Sequence, residues 1–304
     1  MKFKGLDDNQ IRAVLTKACV SGRNFAPGAT DEEILQGVMI GDLQVVIQNG
    51  ELVLFDRNGR RIPPRGLLAA VCDANPNFRL NQPELDYAGR LQRLIASGLS
   101  VSISADDFKA RCESIIAAVK ADQQIENLLK GVHLPIVIPQ MKINNLGTVT
   151  EMLVEAVSAS YQRQFPGRPF TNHRKGELAN QVSVVSGSRY QQLLDRLAQG
   201  PAIGVYFPAC LQGFSVDAQR EQMKILPEQF ILSGPLDSAN GWAMYPDVLA
   251  RDFNTPGNDC SAVNWQHADF SLCFQAHDDC AGFGYGTNLG DARDYYSGGL
   301  LLLG

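Results

Sequence analysis

The sequence predicts an α/β fold, or the related α+β arrangement, and three observations predict it. Helix starts are spelled out as capping residues, short β-rich runs alternate with helical segments between Gly131 and Leu232, and the chain from Gly234 onward turns rich in Gly, Asp and Asn with one cleanly alternating run. A helical N-terminal region carrying a β-hairpin, then a mostly parallel sheet with crossover helices, then a loop-rich β tail is the expected order.

Asp7…Gln10, Thr30…Glu33, Thr148…Glu151 and Ser188…Gln191 match the capping box, in which a short oxygen side chain bonds the amide three residues on and the third residue bonds back. Ser104 and Ser215 are further N-cap candidates, each followed by acidic residues that suit the positive end of a helix. Leu43–Ile47 and Leu52–Phe55 flank Asn49-Gly50, a dipeptide that favours a type I′ turn because both central residues need positive φ, so residues 43–55 read as a hairpin. A basic loop, Arg57 to Arg65, follows. Leu85–Ala96 and Phe108–Leu129 return to helical spacing, the second with Phe108, Cys112, Ile115, Ile116 and Val119 on one face.

Beyond Gly131 the expected strands are Leu134–Ile138, Val182–Val185, Ala202–Phe207 and Gln229–Leu232, with helices between them over Val149–Phe165, from Ser188 to an end at Gly200-Pro201, and over Val216–Leu226. Alternation of this kind is how crossover units and parallel sheets are written, and short continuous apolar strands suit burial on both faces. In the tail, 234–304, Phe270–Ala276 alternates as a strand and Tyr295–Leu303 reads as another. The composition shift near Lys130-Gly131 divides the chain into 1–130 and 131–304.

Composition narrows the function classes. Of 304 residues, 45% are hydrophobic, enough for a large core without disulfide or metal staples. The 27 Lys and Arg against 32 Asp and Glu leave a net charge of -5, which disfavours nucleic acid as a partner, since such binders carry a basic surplus to neutralise phosphates. An acidic and amide-rich start is not that of a secretory signal, and no apolar run approaches the roughly 18 residues that a membrane span requires. The seven cysteines are odd in number and mostly far apart, the usage of a reducing compartment, so the cytoplasm is the expected location.

The densest reactive chemistry is C-terminal: Cys260, His267, Asp269, Cys273, His277, Asp278, Asp279 and Cys280. Thiolate, imidazole and carboxylate together suit zinc, but the spacing matches no zinc motif. On an extended strand, side chains two apart lie about 6.6 Å from each other and those four apart about 13 Å. Cys273 and His277 therefore cannot share an ion there, whereas His267 with Asp269 can, and so can His277 with Cys280 across a turn. His267, Asp269 and His277 are accordingly the candidate ligands or acid–base groups, weighed against a plain polar sheet face.

The turn Ser186-Gly187-Ser188-Arg189 is the candidate anion site, because a helix N-terminus offers free amides and an arginine adds a bidentate contact. The competing reading is a well-capped helix behind a tight turn. The basic loop beside a hairpin has the order of a winged helix with a basic wing, against which the negative charge and Pro63-Pro64 count. Cys210, with His133 or His173 as base, is a formal nucleophile candidate, although a core thiol is the commoner case. Trp242, Tyr245 and Trp265 can line a contact surface or close the sheet. These observations assign no cofactor, metal or substrate. They favour a binding or assembly protein that uses its aromatic and Gly-rich C-terminal region on a protein or small-molecule partner; the alternative is a small-molecule or metal-dependent, hydrolase-like enzyme with a C-terminal His/Asp site.

Overall fold

The computed structural model describes residues 53–304 together with two short strands, β1 (Ile47–Gln48) and β2 (Glu51–Leu52). The capping boxes at Asp7 and Thr30, the N-terminal helices expected there, Cys19 and the Asn49-Gly50 pair lie outside the described residues. β1 and β2 pair antiparallel with Ile47 opposite Leu52 and Gln48 opposite Glu51, the register that a two-residue hairpin connection requires.

The elements that follow are α1 (Tyr87–Ala96), α2 (Ala105–Ala121), β3 (Leu134–Ile138), α3 (Leu146–Gln164), β4 (Phe170–Asn172), β5 (Val182–Val184), α4 (Tyr190–Gln199), β6 (Ala202–Phe207), α5 (Val216–Glu221), β7 (Phe230–Leu232), α6 (Pro235–Met244) and α7 (Pro246–Leu249). The tail then supplies β8 (Gly257–Asp259), β9 (Val263–Trp265), β10 (Phe270–Ala276), β11 (Ala281–Asn288), β12 (Tyr296–Gly298) and β13 (Leu300–Leu303).

Ser104 and Ser215 cap α2 and α5 as expected, each hydroxyl accepting from the backbone N–H three residues on. The other two caps are displaced. Asn145 begins α3 by accepting from the Thr148 N–H at 3.1 Å, which puts Thr148 inside the first turn and frees Glu151 to hold the Leu178 N–H at 2.8 Å. Arg189, with φ 62°, occupies the cap position of α4, while the Ser188 hydroxyl turns back to donate to the Val185 carbonyl at 2.7 Å.

A mixed helix-and-sheet architecture is what forms, but the mostly parallel sheet is not. The central sheet has the order β3-β6-β13-β7 and is antiparallel at every contact. β6 and β7 do point the same way, both being antiparallel to β13, yet they are not neighbours. The C-terminal strand takes the slot between them because Leu300–Leu303 is apolar throughout and needs cover on both faces, which a central position provides. Every residue of β3 and β6 is likewise buried. Gly204 lets β6 and β13 close up: a Cβ there would stand 2.4 Å from the Leu302 carbonyl oxygen.

Val182–Val184 is not in this sheet at all. It pairs antiparallel with β9, Val182 opposite Trp265, as a separate two-stranded ribbon. With Ser183 exposed between two half-buried valines, the segment has only one apolar face and cannot sit in a sheet covered on both sides. The tail builds a five-stranded sheet, β12-β8-β10-β11-β4, in which β12/β8 and β11/β4 are parallel and the other pairs antiparallel. One apolar cluster runs through the helices and both larger sheets, from Leu54 to Leu302. Among the described residues no helix is long and apolar enough to cross a membrane.

Candidate functional site

The tail sheet decides where the C-terminal reactive groups go. β10 lies between β8 and β11, with a register shift between Ser271 and Leu272. His267 and Asp269 are exposed in the turn that enters β10, and His277 is half-buried in the turn that leaves it. A seven-residue strand separates them by about 20 Å or more. The structure therefore keeps His267 near Asp269 and takes His277 away from both. At the far turn the His277 N–H donates to the Cys280 carbonyl at 2.8 Å, a backbone closure of the hairpin. Ser271 and Cys273, expected on a polar face with them, are buried, as are Leu272 and Phe274 on the other side. Among the described residues no three His, Cys, Asp or Glu side chains converge as a metal-binding group.

The thiols are set against nucleophilic work. Burial pushes Cys210, Cys260 and Cys273 well up from the ordinary thiol range and Cys112 to about 12. Cys210 Sγ donates to the Phe207 carbonyl at 3.2 Å, and the His133 ring is bonded to the Gly131 carbonyl through Nδ1 at 3.1 Å. Cys210 is a core thiol.

At the turn Ser186-Gly187-Ser188-Arg189, the arginine is committed inward. Its Nη1 donates to the carbonyls of Pro227 and Phe230 at 2.5 and 3.1 Å, and its Nη2 to those of Met223 and Leu226 at 2.7 and 2.9 Å. The guanidinium thus caps the carbonyl end of the segment that follows α5 and ties it to α4. Ser186 and Gly187 remain exposed, but no cation stands over them from this turn.

Two polar constellations were not singled out by sequence reasoning. The first is sealed. Asp237, in the first turn of α6, accepts from the Tyr190 hydroxyl at 3.0 Å and the Gly234 N–H at 2.9 Å; the Tyr190 hydroxyl in turn accepts from the Leu236 N–H at 2.8 Å. Ser233 and Ser238 share a hydrogen bond of 2.9 Å, and Tyr206 reaches Ser238 at 3.4 Å. Burial lifts the Asp237 carboxyl to about 6, against the opposing pull of its hydrogen bonds from Ser233, Gly234 and Tyr190. All of these side chains are buried, so the cluster binds helices to strands and faces no solvent. The legible signal was Ser233-Gly-Pro-Leu-Asp237-Ser238, a proline at a helix start with an acid two residues later.

The second is open. Trp265 stacks on Tyr285 with ring centroids 5.6 Å apart, Phe270 meets Tyr285 edge-on at 5.1 Å, and His267 meets Trp265 at 4.4 Å. The Arg174 guanidinium covers Trp265 and Tyr285 at 5.5 and 5.0 Å from the ring centres while pairing with Glu177 at 2.8 Å. Tyr285 is 48% exposed. Within this stack, the buried Trp265 Nε1 and Arg174 Nε have no acceptor within hydrogen-bonding distance among the protein groups. The Gly-aromatic alternation Gly282-Phe283-Gly284-Tyr285-Gly286 was the available signal, since glycines on one face of β11 leave room for His173 and for the Tyr296 hydroxyl. Trp242 and Tyr245 take no part in this surface. They are buried, with Trp242 Nε1 donating to Asn258 Oδ1 and the Tyr245 hydroxyl donating to the Pro135 carbonyl, each at 2.8 Å.

Compared with protein-family models, curated proteins and solved structures, the chain matches none.

Proposed function

We propose that the protein is a non-catalytic binding or assembly component whose contact surface is the aromatic platform of its C-terminal sheet. The observation that carries this reading is the half-exposed Tyr285, held in a stack with Trp265, Phe270 and Arg174. Rigid aromatics give large contact area at small entropic cost, which suits recognition. The fitting partner is a protein segment that sets an apolar side chain on Tyr285 and offers a carboxylate or carbonyl to Arg174 and His267. The high-lying thiols and the separation of His277 from His267 and Asp269 weigh in the same direction. We also propose a cytoplasmic location, supported by the free thiols of Cys72, Cys112, Cys210, Cys260, Cys273 and Cys280.

A photo-crosslinking amino acid placed at position 285 of the full chain tests the reading, with Leu68, the most exposed large apolar residue away from the platform, as control position. The expected result is one defined adduct at 285, mapped by mass spectrometry to an acidic or carbonyl-presenting segment, absent at 68 and lost with Arg174→Ala. A chain that is monomeric by light scattering and gives the same adducts at both positions overturns it.

A further inference from the structure

A cleft of about 430 Å³ opens beyond the carboxyl end of β6, where Ala209, Cys210 and Gln212 follow the strand. Among the described residues, four cations line it, Arg57, Arg60, Arg79 and Lys130, and no Asp or Glu does. In a chain with net charge -5 this is a local reversal of sign. The cations come from three separate segments, so their convergence is a product of the fold and not of a run in the sequence.

The walls are fixed before any ligand arrives. Residues 56–60 form a tight turn in which Asp56 Oδ1 accepts from the Asn58 and Arg60 N–H groups at 2.8 and 2.9 Å. The same carboxylate acts electrostatically on the Arg60 guanidinium. Gly59, at φ 75°, lets the turn press against Gly131: a Cβ there would stand 2.4 Å from the Gly131 nitrogen. The Arg61 N–H donates to the Cys210 carbonyl at 2.7 Å, which ties the turn to the loop after β6. Arg60 Nη2 donates to Gln212 Oε1 at 3.1 Å, and Gln212 Nε2 donates in turn to the Asp294 carbonyl at 2.8 Å, so a buried amide aims the guanidinium. Across the cleft, the Arg79 N–H is held by the Asn254 carbonyl at 3.1 Å, with Phe78 wedged against Phe253 and Tyr295. Burial lowers the Arg60 pKa, the Asp56 carboxylate pulls it back up, and the neighbouring Arg79 lowers it again, so the net direction is down.

We propose that this cleft is a binding site for a small polyanion carrying two or more phosphate groups. Its volume falls within the roughly 300–1,000 Å³ of small-molecule sites. Guanidinium forks bind tetrahedral phosphate oxygens bidentately, and a diphosphate presents enough oxygens to meet cations from three directions. A nucleic-acid strand is the competing class, but the chain's net charge of -5 works against the further phosphates that a strand would bring.

Titration calorimetry of the full chain with inorganic pyrophosphate tests the site, with a single-stranded oligonucleotide as a second titrant. Saturable pyrophosphate binding at one site per chain is expected, weakening as salt is raised. Arg57→Gln, at an exposed position that does not support the turn, and Arg79→Gln should each loosen binding by about tenfold, the scale of one charge-assisted contact. Lys109→Gln, on the exposed face of α2 and paired with Glu113, should leave it unchanged. No pyrophosphate binding, or binding that none of the cleft variants weakens, overturns the proposal. So does oligonucleotide binding that tightens with strand length while pyrophosphate fails to compete.

Discussion

The two larger sheets of this protein differ in how their polar and aromatic groups meet solvent. In the four-stranded sheet and the helices on it, polar side chains are buried and largely close on one another: Tyr190, Asp237, Ser233, Ser238 and Tyr206 form one cluster, with Asp237 Oδ2 left without a partner, and Arg189 holds four carbonyls. In the five-stranded tail sheet the outer end of β10 and β11 leaves an aromatic surface half open, with Trp265 Nε1 and Arg174 Nε lacking acceptors. A buried polar cluster rigidifies and specifies a packing, while a half-exposed aromatic stack offers contact area to a partner. The difference separates the part of the molecule that keeps it folded from the part available for recognition.

The largest effect should come from the joint between the two regions. Trp242 sits on α6, stacks on Phe274 of β10 at 5.2 Å and bonds Asn258 of β8. Trp242→Ala should cost about 3–5 kcal/mol in denaturant unfolding, as for other large aromatic deletions in cores. A cost below that of an ordinary surface substitution would mean that the sheets are held together elsewhere.

Asp237 gives the next largest effect, read as pH dependence. Its carboxyl titrates near 6 in the folded chain against 3.8 as the reference, so the folded state holds the proton more tightly. That preference is fully present below the unfolded pKa and is lost as pH rises through the folded one. Between about pH 3 and 7, stability should therefore fall by about 3 kcal/mol relative to Asp237→Asn, the scale of a two-unit shift. Identical slopes for the two proteins would show that the site is not as dry as its burial implies.

Arg189→Ala should destabilise by about 1–3 kcal/mol, since several carbonyls lose a charged donor, and faster amide exchange around Phe230–Leu232 should localise the loss. Tyr285→Ala should change stability by less than about 1 kcal/mol, because the ring is half exposed, yet should abolish the crosslinked adduct at the platform. The double variant His267→Ala with His277→Ala should melt within about 0.5 kcal/mol of the parent, as surface positions do. A metal-dependent rise in melting temperature, lost in that variant, would reverse the comparison and make the tail a metal site.

The strands of the tail and the helix caps were legible to different depths. Phe270–Ala276 alternates in sequence and is β10 to the residue, because a run with an apolar group at every second position admits one extended solution. Ser104 and Ser215 were readable for the same local reason: a cap is a bond to an amide three residues away. Thr148 was misleading because Asn145, three residues earlier, starts the helix by accepting from the Thr148 N–H, which leaves Thr148 inside the first turn. At the candidate site, His267 was legible as exposed chemistry. Trp265 was legible as a residue able to line a contact surface, but its meeting with His267, Tyr285 and Arg174 was not, since the contact joins β9, β11 and the loop after β4, and no spacing within any one of them encodes the others.

Sequence alone determined the existence and type of most described elements between Leu85 and Leu303, because propensity, capping and periodicity act over a few residues. Only the tertiary structure decided their neighbours: that Leu300–Leu303 divides β6 from β7, that Val182–Val184 joins Trp265, and that Arg57, Arg79 and Lys130 meet around one cleft. Strand order and side-chain convergence depend on which faces must be covered once every other segment is in place, and that is a property of the whole chain packed together.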